Sequence, residues 1–593
     1  MCGIIGHYSS KTKIDASVFN RMRDTMTHRG PDGCGTEVFE DSHLAFGHRR
    51  LSIIDLSEKG HQPMSNEDQT VWLTFNGEIY NFQKLKKALE TSHTFSSDSD
   101  SEVLIHGYEE WGFQELLQKL KGMFSFALYD QKKHQIFAAR DRFGIKPFHY
   151  YKDQDHFVFS SEIKGITSAP FISKEIDTDA LADYFTYSYV PHPNTIWKGI
   201  KKLKPAHYLI FDLVSNEIEQ MQYWELKVNN EVLDEDIAIE QTDVLLRQAV
   251  KEHMVSDVPV GLFLSGGYDS SSVLMHMKDE AQEVNTFSLG FKNSSNSEHI
   301  QARAIAEHFG VQNHLEMLGE EENFIAFIDN LLEYYDEPYA TSSMIPYFHI
   351  SRLAAKNGKV ALAGDGGDEV FAGYRWHYEI DEFEKSRSWK YRLKRVIKGD
   401  RQKILIEKYY AAMTGVFKHM MQHKVINENL LTKMKNRKFW YYDQFYSAKL
   451  DAVKQFQWLD TKTFMLESCL VRADQSSMAH SLEVRVPFLD HELFEFTFNL
   501  KPSVYLKKGI KKFLLFKNLE KRIPKEVLDM PKRGFSWQHL TKLETNFYSD
   551  LVNQGQLVKH GIITKKVDFK KMGGRLAFHL LILERWFNKH NPL

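Results

Sequence analysis

Val258-Pro259-Val260-Gly261-Leu262-Phe263-Leu264-Ser265-Gly266-Gly267-Tyr268-Asp269-Ser270-Ser271 is the stretch on which the reading of this chain turns. The apolar run into Leu264 predicts a strand, Ser265-Gly266-Gly267 a tight loop, and Ser272-Val273-Leu274-Met275-His276-Met277 a helix. In such a unit the loop N–H groups converge on one point, and the helix N-terminus adds partial positive charge. Glycine lets the backbone approach an anion without side-chain interference. Asp269 cannot hold a phosphate directly, because like charges repel. It makes sense as a ligand of Mg²⁺, which takes carboxylate and phosphate oxygens together.

The chain continues in the same style. A second apolar run, Val284-Asn285-Thr286-Phe287-Ser288-Leu289-Gly290-Phe291, precedes a helix-like segment at 297–308. A third, Val360-Ala361-Leu362-Ala363, runs into Gly364-Asp365-Gly366-Gly367-Asp368-Glu369. Upstream, Leu245, Leu246, Ala249 and Val250 mark one face of a helix. Alternating strand and helix predicts an α/β unit with a parallel sheet. Ligands of such sheets bind beyond the carboxyl ends of the strands, where Ser265, Leu289 and Gly364 all fall, so one crevice can collect the three motifs. The Gly364–Glu369 string also has the composition of a surface turn, but it lacks the alternating ligands and distal Glu of an EF-hand loop.

The first third reads differently. Ile4-Ile5, Leu44-Ala45-Phe46-Gly47, Val71-Trp72-Leu73-Thr74-Phe75 and Met123-Phe124-Ser125-Phe126-Ala127-Leu128 are strand-like, and Asp130 to His134 is a polar turn before Ile136-Phe137-Ala138-Ala139. Helix-like segments stand apart, at 16–26 and 102–111. This predicts an α+β sandwich of antiparallel sheets. The polar, acidic stretch 213–236 is the expected junction, dividing the chain into 2–212 and 237–593.

Composition narrows the function. A chain of 593 residues needs more than one core. A net charge of −3 sets up no field for nucleic acid or an anionic membrane. No membrane span and no signal peptide are expected. Three cysteines (Cys2, Cys34 and Cys469) cannot build a disulfide framework or a four-thiolate zinc site, and a reducing cytoplasm fits them. The basic segment 385–403 reads as a solvated helix face, because aromatic residues are few there.

Cys2 is the exception to the usual view of cysteine as a small buried hydrophobe. Trimming of Met1 would leave it with a free α-amine of pKa ~7.7–8.0, a usable general base beside its own thiol.

Two resemblances follow from these strings. Ser265-Gly266-Gly267-Tyr268-Asp269-Ser270-Ser271 resembles the pyrophosphate loop of ATP pyrophosphatases of the N type. It is not a Walker-type loop, which needs a Lys after its last Gly. Met1-Cys2-Gly3-Ile4-Ile5-Gly6, His28-Arg29-Gly30-Pro31-Asp32-Gly33, Gly47-His48-Arg49-Arg50-Leu51-Ser52-Ile53, Asn76-Gly77-Glu78-Ile79-Tyr80-Asn81 and Asp98-Ser99-Asp100-Ser101-Glu102 resemble class II glutamine amidotransferases, whose fold is the N-terminal-nucleophile hydrolase sandwich. The combination is similar to the glutamine-hydrolysing asparagine synthetases.

That likeness implies roles. Cys2 is the nucleophile, with Asn76 and Gly77 forming the oxyanion hole. Arg50, Asn76, Gly77, Glu78 and Asp100 bind glutamine, and the His28–Asp32 string is a loop closing over it. Leu264, Ser265, Gly266, Gly267, Asp269, Ser270, Leu289, Ala363 and Gly364 bind ATP. Asp269 and Asp368 hold Mg²⁺, and Asp365 stands by the reacting acyl-adenylate. Arg472 neutralises pyrophosphate, because Gln475 replaces a family arginine, with Lys511, Lys532 and Arg533 as further candidates. The likeness also implies small-molecule substrates (glutamine, ATP, and aspartate or another carboxylate) and a homodimer. Asp336-Glu337-Pro338 is a family string without an assignable task. Cys469 is expected to be packing. Ala206 stands where the family has Gly, which predicts a different turn.

Overall fold

The computed structural model describes residues 2–590 apart from 230, 232, 293–297, 320–322, 387–400, 414, 508 and 530–539. Met1, most of the basic segment 385–403, Ser297, Lys532 and Arg533 thus lie outside the described residues.

The N-terminal part is a sandwich of two six-stranded antiparallel sheets. One has the order β10-β8-β9-β1-β3-β2, from Ile200–Lys202, His149–Lys152, His156–Ser160, Gly3–Ser9, Leu44–Arg50 and Gly33–Phe39. The other has the order β12-β11-β7-β6-β5-β4, from Glu217–Gln222, His207–Asp212, Gln135–Arg140, Gly122–Asp130, Val71–Ile79 and Met64–Ser65. Alternate residues explain the stacking. Ile4, Leu44, Phe46, Phe157 and Phe159 from one sheet pack on Ala127, Tyr129, Ile136, Ala138, Leu209 and Phe211 from the other. The intervening residues, such as Ile5, Phe75 and Phe126, face the larger core that includes the covering helices. The stretch 213–236 carries the edge strand β12, whose register runs from Glu217 opposite Asp212 to Gln222 opposite His207.

The remaining residues build a five-stranded parallel sheet, β15-β14-β13-β16-β17, from Gln312–Leu318, Asn285–Phe291, Val260–Phe263, Val360–Leu362 and Glu483–Arg485, with helices around it. The helix after β13 starts at Tyr268, so Asp269, Ser270 and Ser271 occupy its first turn. Strand β17 carries Glu483 and Arg485, both fully buried, and that charge hides it from a reading based on hydropathy.

One expectation is corrected. Ala206 takes φ +59°, the left-handed conformation that Gly would use. Its N–H donates to Asp141 O at 2.9 Å, and its carbonyl accepts from Tyr223 N at 2.9 Å. These two bonds hold the turn at a cost of roughly 1 kcal/mol relative to Gly.

The two parts meet along a polar seam. Asp336 and Glu337 belong to it: Asp336 accepts Ile163 N at 2.6 Å, and Glu337 accepts Ile196 N at 3.0 Å and Lys202 Nζ at 2.5 Å. An apolar contact of Leu51 and Ile53 with Val360 and Met478 lies on the same seam. Among the described residues, no helix is long and apolar enough to cross a membrane.

Candidate active sites

The first site lies where β1, β3 and β5 converge. Cys2 directly precedes β1, Arg50 ends β3, and Asn76, Gly77 and Glu78 lie near the end of β5. Cys2, Arg50, Gly77, Glu78 and Asp100 line one small cavity of about 30 Å³. Cys2 N donates to Asn76 Oδ1 at 2.9 Å, and the Asn76 amide nitrogen lies 3.5 Å from Ser161 Oγ. Gly77 is there because a Cβ would stand 2.1 Å from Met123 O. Arg50 donates to Ser57 O at 2.7 Å and to Asp55 O, so the loop that follows β3 folds around its guanidinium. Arg50 also lines a neighbouring cavity of about 380 Å³ with Asp32, Ser52, His61 and Lys359, and so stands between the two.

The pocket is electrostatically tense. Burial pushes the Cys2 thiol up from its ordinary value, opposed in part by Arg50. Burial also raises Asp100 to about 7, although its carboxylate accepts Ile79 N at 2.8 Å. Glu78 is pushed well above the usual carboxylate range by burial and by the nearby Glu483 and Asp100, while Arg485 pulls it down. Arg485 Nη2 is 3.1 Å from Glu78 Oε1.

The His28–Asp32 string does not close over this pocket. Arg29 is fully buried, with Nε donating to Cys2 O at 3.0 Å and the two Nη atoms paired with Asp474 at 2.8 and 3.0 Å. Asp32 pairs with Lys359 Nζ at 2.6 Å. The string is pinned into the seam because its charges find partners on the other part. A sequence read one segment at a time cannot show such partners.

The second site is an open cavity of about 410 Å³ beyond the ends of β13, β14 and β16. It is lined by Leu264, Ser265, Asp269, Ser270, Leu289, Ala363, Gly364, Asp365, Asp368 and Arg472. Gly266 and Gly267 make the turn behind it. Gly266 has φ +76°, and a Cβ there would stand 2.7 Å from Ala302 N. The loop closes on itself: Ser265 N donates to Ser270 Oγ at 3.2 Å, and Gly267 N to Ser265 Oγ at 3.3 Å.

Arg472 is directed at Asp365 rather than along the loop. Its Nη2 is 2.6 Å from Asp365 Oδ1, its Nη1 donates to Ser343 Oγ at 2.9 Å, and its guanidinium lies 4.7 Å from the Tyr347 ring centre. The cation beside the acid pair is Lys512, with Nζ 2.5 Å from Asp269 Oδ2 and 2.7 Å from Asp368 Oδ1. Burial opposes its charge, but the two aspartates outweigh burial and raise its pKa. Lys511, a candidate cation by sequence, is exposed, and no local signal distinguishes its buried neighbour Lys512. Gln475 is half-buried.

Two further wall residues were missed as such. Glu369 accepts from Tyr374 OH at 2.8 Å, and burial with Asp368 beside it raises it to about 8. Cys469, expected only to pack, also faces the cavity. It sits on a π-helical segment, Asp460–Leu470, and no hydropathy pattern at the ordinary helical period signals such a wall.

Comparison with known proteins gives two family matches: a glutamine amidotransferase domain over residues 1–224 and asparagine synthase over residues 241–586. Asparagine synthetase [glutamine-hydrolyzing] 1 of Bacillus subtilis is 34% identical over 574 residues, covering 92% of this chain and 89% of that protein. Asparagine synthetase [glutamine-hydrolyzing] 3 of the same organism is 30% identical over 636 residues, covering 100% and 99%. Amidase chry2 of Gibberella zeae is 27% identical over 568 residues, covering 86% and 84%.

Proposed function

The chain belongs to the asparagine synthase family, and from that premise we propose that it amidates aspartate to asparagine with ammonia released from glutamine, consuming ATP to AMP and pyrophosphate. The observation that carries this reading is the sorting of residues into two pockets. Cys2, Arg50, Gly77, Glu78 and Asp100 share one, and Leu264, Ser265, Asp269, Leu289, Gly364 and Asp365 share the other.

In the first pocket the Cys2 sulfur attacks the glutamine side-chain amide. Its own α-amine, exposed once Met1 is removed, takes the thiol proton. The Asn76 amide and the Gly77 N–H receive the developing oxyanion, each donor worth on the order of 3 kcal/mol. Arg50 takes the substrate carboxylate, a task suited to a planar guanidinium fork. Glu78 and Asp100 take the α-ammonium. Ammonia leaves a thioester, which water resolves to glutamate.

In the second pocket the acceptor β-carboxylate attacks the α-phosphate of ATP and expels pyrophosphate. Ammonia then displaces AMP from the β-aspartyl-adenylate. Activation is needed because a carboxylate is a poor electrophile with a poor leaving group. Leu264, Leu289, Ala363 and Gly364 support the nucleotide, while Ser265, Gly266, Gly267 and Ser270 cradle phosphate. Asp269 and Asp368 suit Mg²⁺: their oxygens converge on the single Lys512 ammonium, and hard oxygen donors are what that ion takes. Mg²⁺ would supply charge neutralisation at the phosphates. Arg472 and Tyr347 fix Asp365 beside the acyl-adenylate.

Incubation with glutamine, ATP and aspartate tests the reading, with AMP, pyrophosphate and asparagine as the expected products. ADP in place of AMP would overturn it. The likeness to Amidase chry2 favours one alternative, the same chemistry on another carboxylate. A panel of carboxylic acids read by AMP release separates the two.

A further inference from the structure

Arg485 belongs to the parallel-sheet part of the chain, yet its side chain reaches the glutamine pocket. It is fully buried. Nε donates to Glu483 Oε1 at 2.6 Å, and Nη1 donates to His253 O at 2.8 Å and Val255 O at 2.6 Å. Those bonds fix the guanidinium plane, and Nη2 is left facing Glu78 Oε1 at 3.1 Å. Glu78 is a wall of the pocket that also holds Cys2, Arg50 and Asp100. The same residue is tied to the other pocket through its main chain. Arg485 pairs with Leu362 across β16 and β17, and its carbonyl accepts Ala363 N at 2.9 Å, next to Gly364 and Asp365.

We propose that Arg485 is a positioning residue of the glutamine pocket, supplied by the synthetase part, that orients the Glu78 carboxyl group toward the substrate's α-ammonium. The inference rests on the reading of that pocket as a glutamine site. The reason is physical. Glu78 is buried beside two other acids, Asp100 and Glu483; burial and those acids push its proton affinity up, and Arg485, 3.1 Å away, pulls it down and fixes where the carboxyl group points. Arg485 is the cation that faces it, held rigidly by the two main-chain carbonyls and by Glu483. The glutamine pocket is therefore incomplete without β17, which also borders the rim of the nucleotide pocket.

The test is glutamine affinity, measured by calorimetry on full-length Cys2→Ala protein, in which no turnover occurs. In that background Arg485→Met is expected to weaken glutamine binding at least tenfold, and Arg485→Lys less than fivefold, because one ammonium can still face Glu78. Removing Arg485 strands buried acids, so Arg485→Met is also made together with Glu78→Gln, which relieves one of them. On the Glu78→Gln background, Arg485→Met should weaken binding by no more than a further twofold. Unchanged affinity in Arg485→Met, or an equal loss with and without the Glu78 carboxylate, would overturn the proposal. If the Cys2→Ala parent does not bind glutamine at all, the site reading itself fails. The choice of acceptor does not enter, because neither ATP nor aspartate is in the assay.

Discussion

Arg29 and Asp474 stand 445 residues apart in the chain and meet as a bidentate pair, at 2.8 and 3.0 Å, with the arginine wholly out of solvent. Glu162 takes a third bond at 3.0 Å and the Cys2 carbonyl a fourth at 3.0 Å. The pair thus joins Cys2 to the helix Val471–Met478, which also carries Arg472 and its clamp on Asp365. Breaking a buried pair by removing one partner costs about 3–5 kcal/mol when nothing else compensates the charge, and here Glu162 still faces Arg29, which puts the loss at the low end. Asp474→Ala is therefore expected to lose about 3 kcal/mol in denaturant unfolding and to slow glutamine hydrolysis, because the Arg29 bond that fixes Cys2 loosens. Asp474→Asn, which keeps an acceptor, should lose less. A wild-type midpoint for Asp474→Ala would show that the seam is not held here.

Cys2→Ala separates the two chemistries. The sulfur lies only in the first pocket, and the nucleotide pocket is lined by other residues. Glutamine-dependent product formation should fall below detection. Synthesis from added ammonium salt should stay within about twofold of wild type, with the amine fraction of ammonia rising with pH. Loss of both activities would mean that the two sites are not separate.

Lys512 makes a prediction about metal. One ammonium at 2.5 and 2.7 Å holds Asp269 and Asp368 together. In Lys512→Met the ammonium that neutralises the two carboxylates is gone, and their repulsion favours a divalent cation between them. Saturating Mg²⁺ should raise the melting temperature of Lys512→Met by several degrees more than that of wild type. Binding to the folded state at a hundred times Kd is worth about 2.7 kcal/mol. ATP-dependent AMP release by the variant should fall at least tenfold, since the buried cation beside the loop is gone. Equal Mg²⁺ shifts in the two proteins would remove the acid pair as the ion's site.

Much of this was legible in the residue order. Strand, Gly-Gly turn and helix were visible around Ser265 because period and punctuation are local signals, and five of the six residues that the motif strings assign to glutamine line a single cavity. The cations were not legible. Lys512 and Arg485 look like ordinary charged residues until the fold buries them against Asp269 and Glu78. Strand β17 was hidden for the same reason: a strand of three residues, two of them charged, carries no apolar pattern. Asp336 and Glu337 gained a task only when the opposite side of the seam was in place.

His106 supplies a pH dependence whose sign can be worked out. It is 1% exposed on the helix Glu102–Trp111, with Nδ1 3.3 Å from Glu109 Oε2 and Nε2 3.5 Å from Glu102 Oε1. Burial alone would keep the ring neutral, but the two carboxylates outweigh it and raise His106 from 6.5 to about 9. The folded chain therefore holds this proton more tightly than the unfolded chain does. The stabilisation is fully present below about pH 6.5, declines as pH rises through 9, and amounts to 2–3 kcal/mol in order of magnitude. Glu102, held near 2, does not titrate in this window. It also accepts Ser96 N and Ser97 N at 2.7 and 2.8 Å, at the start of the loop that leads to Asp100. Loss of the His106 charge should therefore loosen a wall of the glutamine pocket as well as the fold. Denaturant unfolding of wild type at pH 6, 7.5 and 9 is expected to show falling stability, and His106→Gln should flatten that slope while raising KM for glutamine at pH 7. A slope that survives His106→Gln would assign the titration to another group.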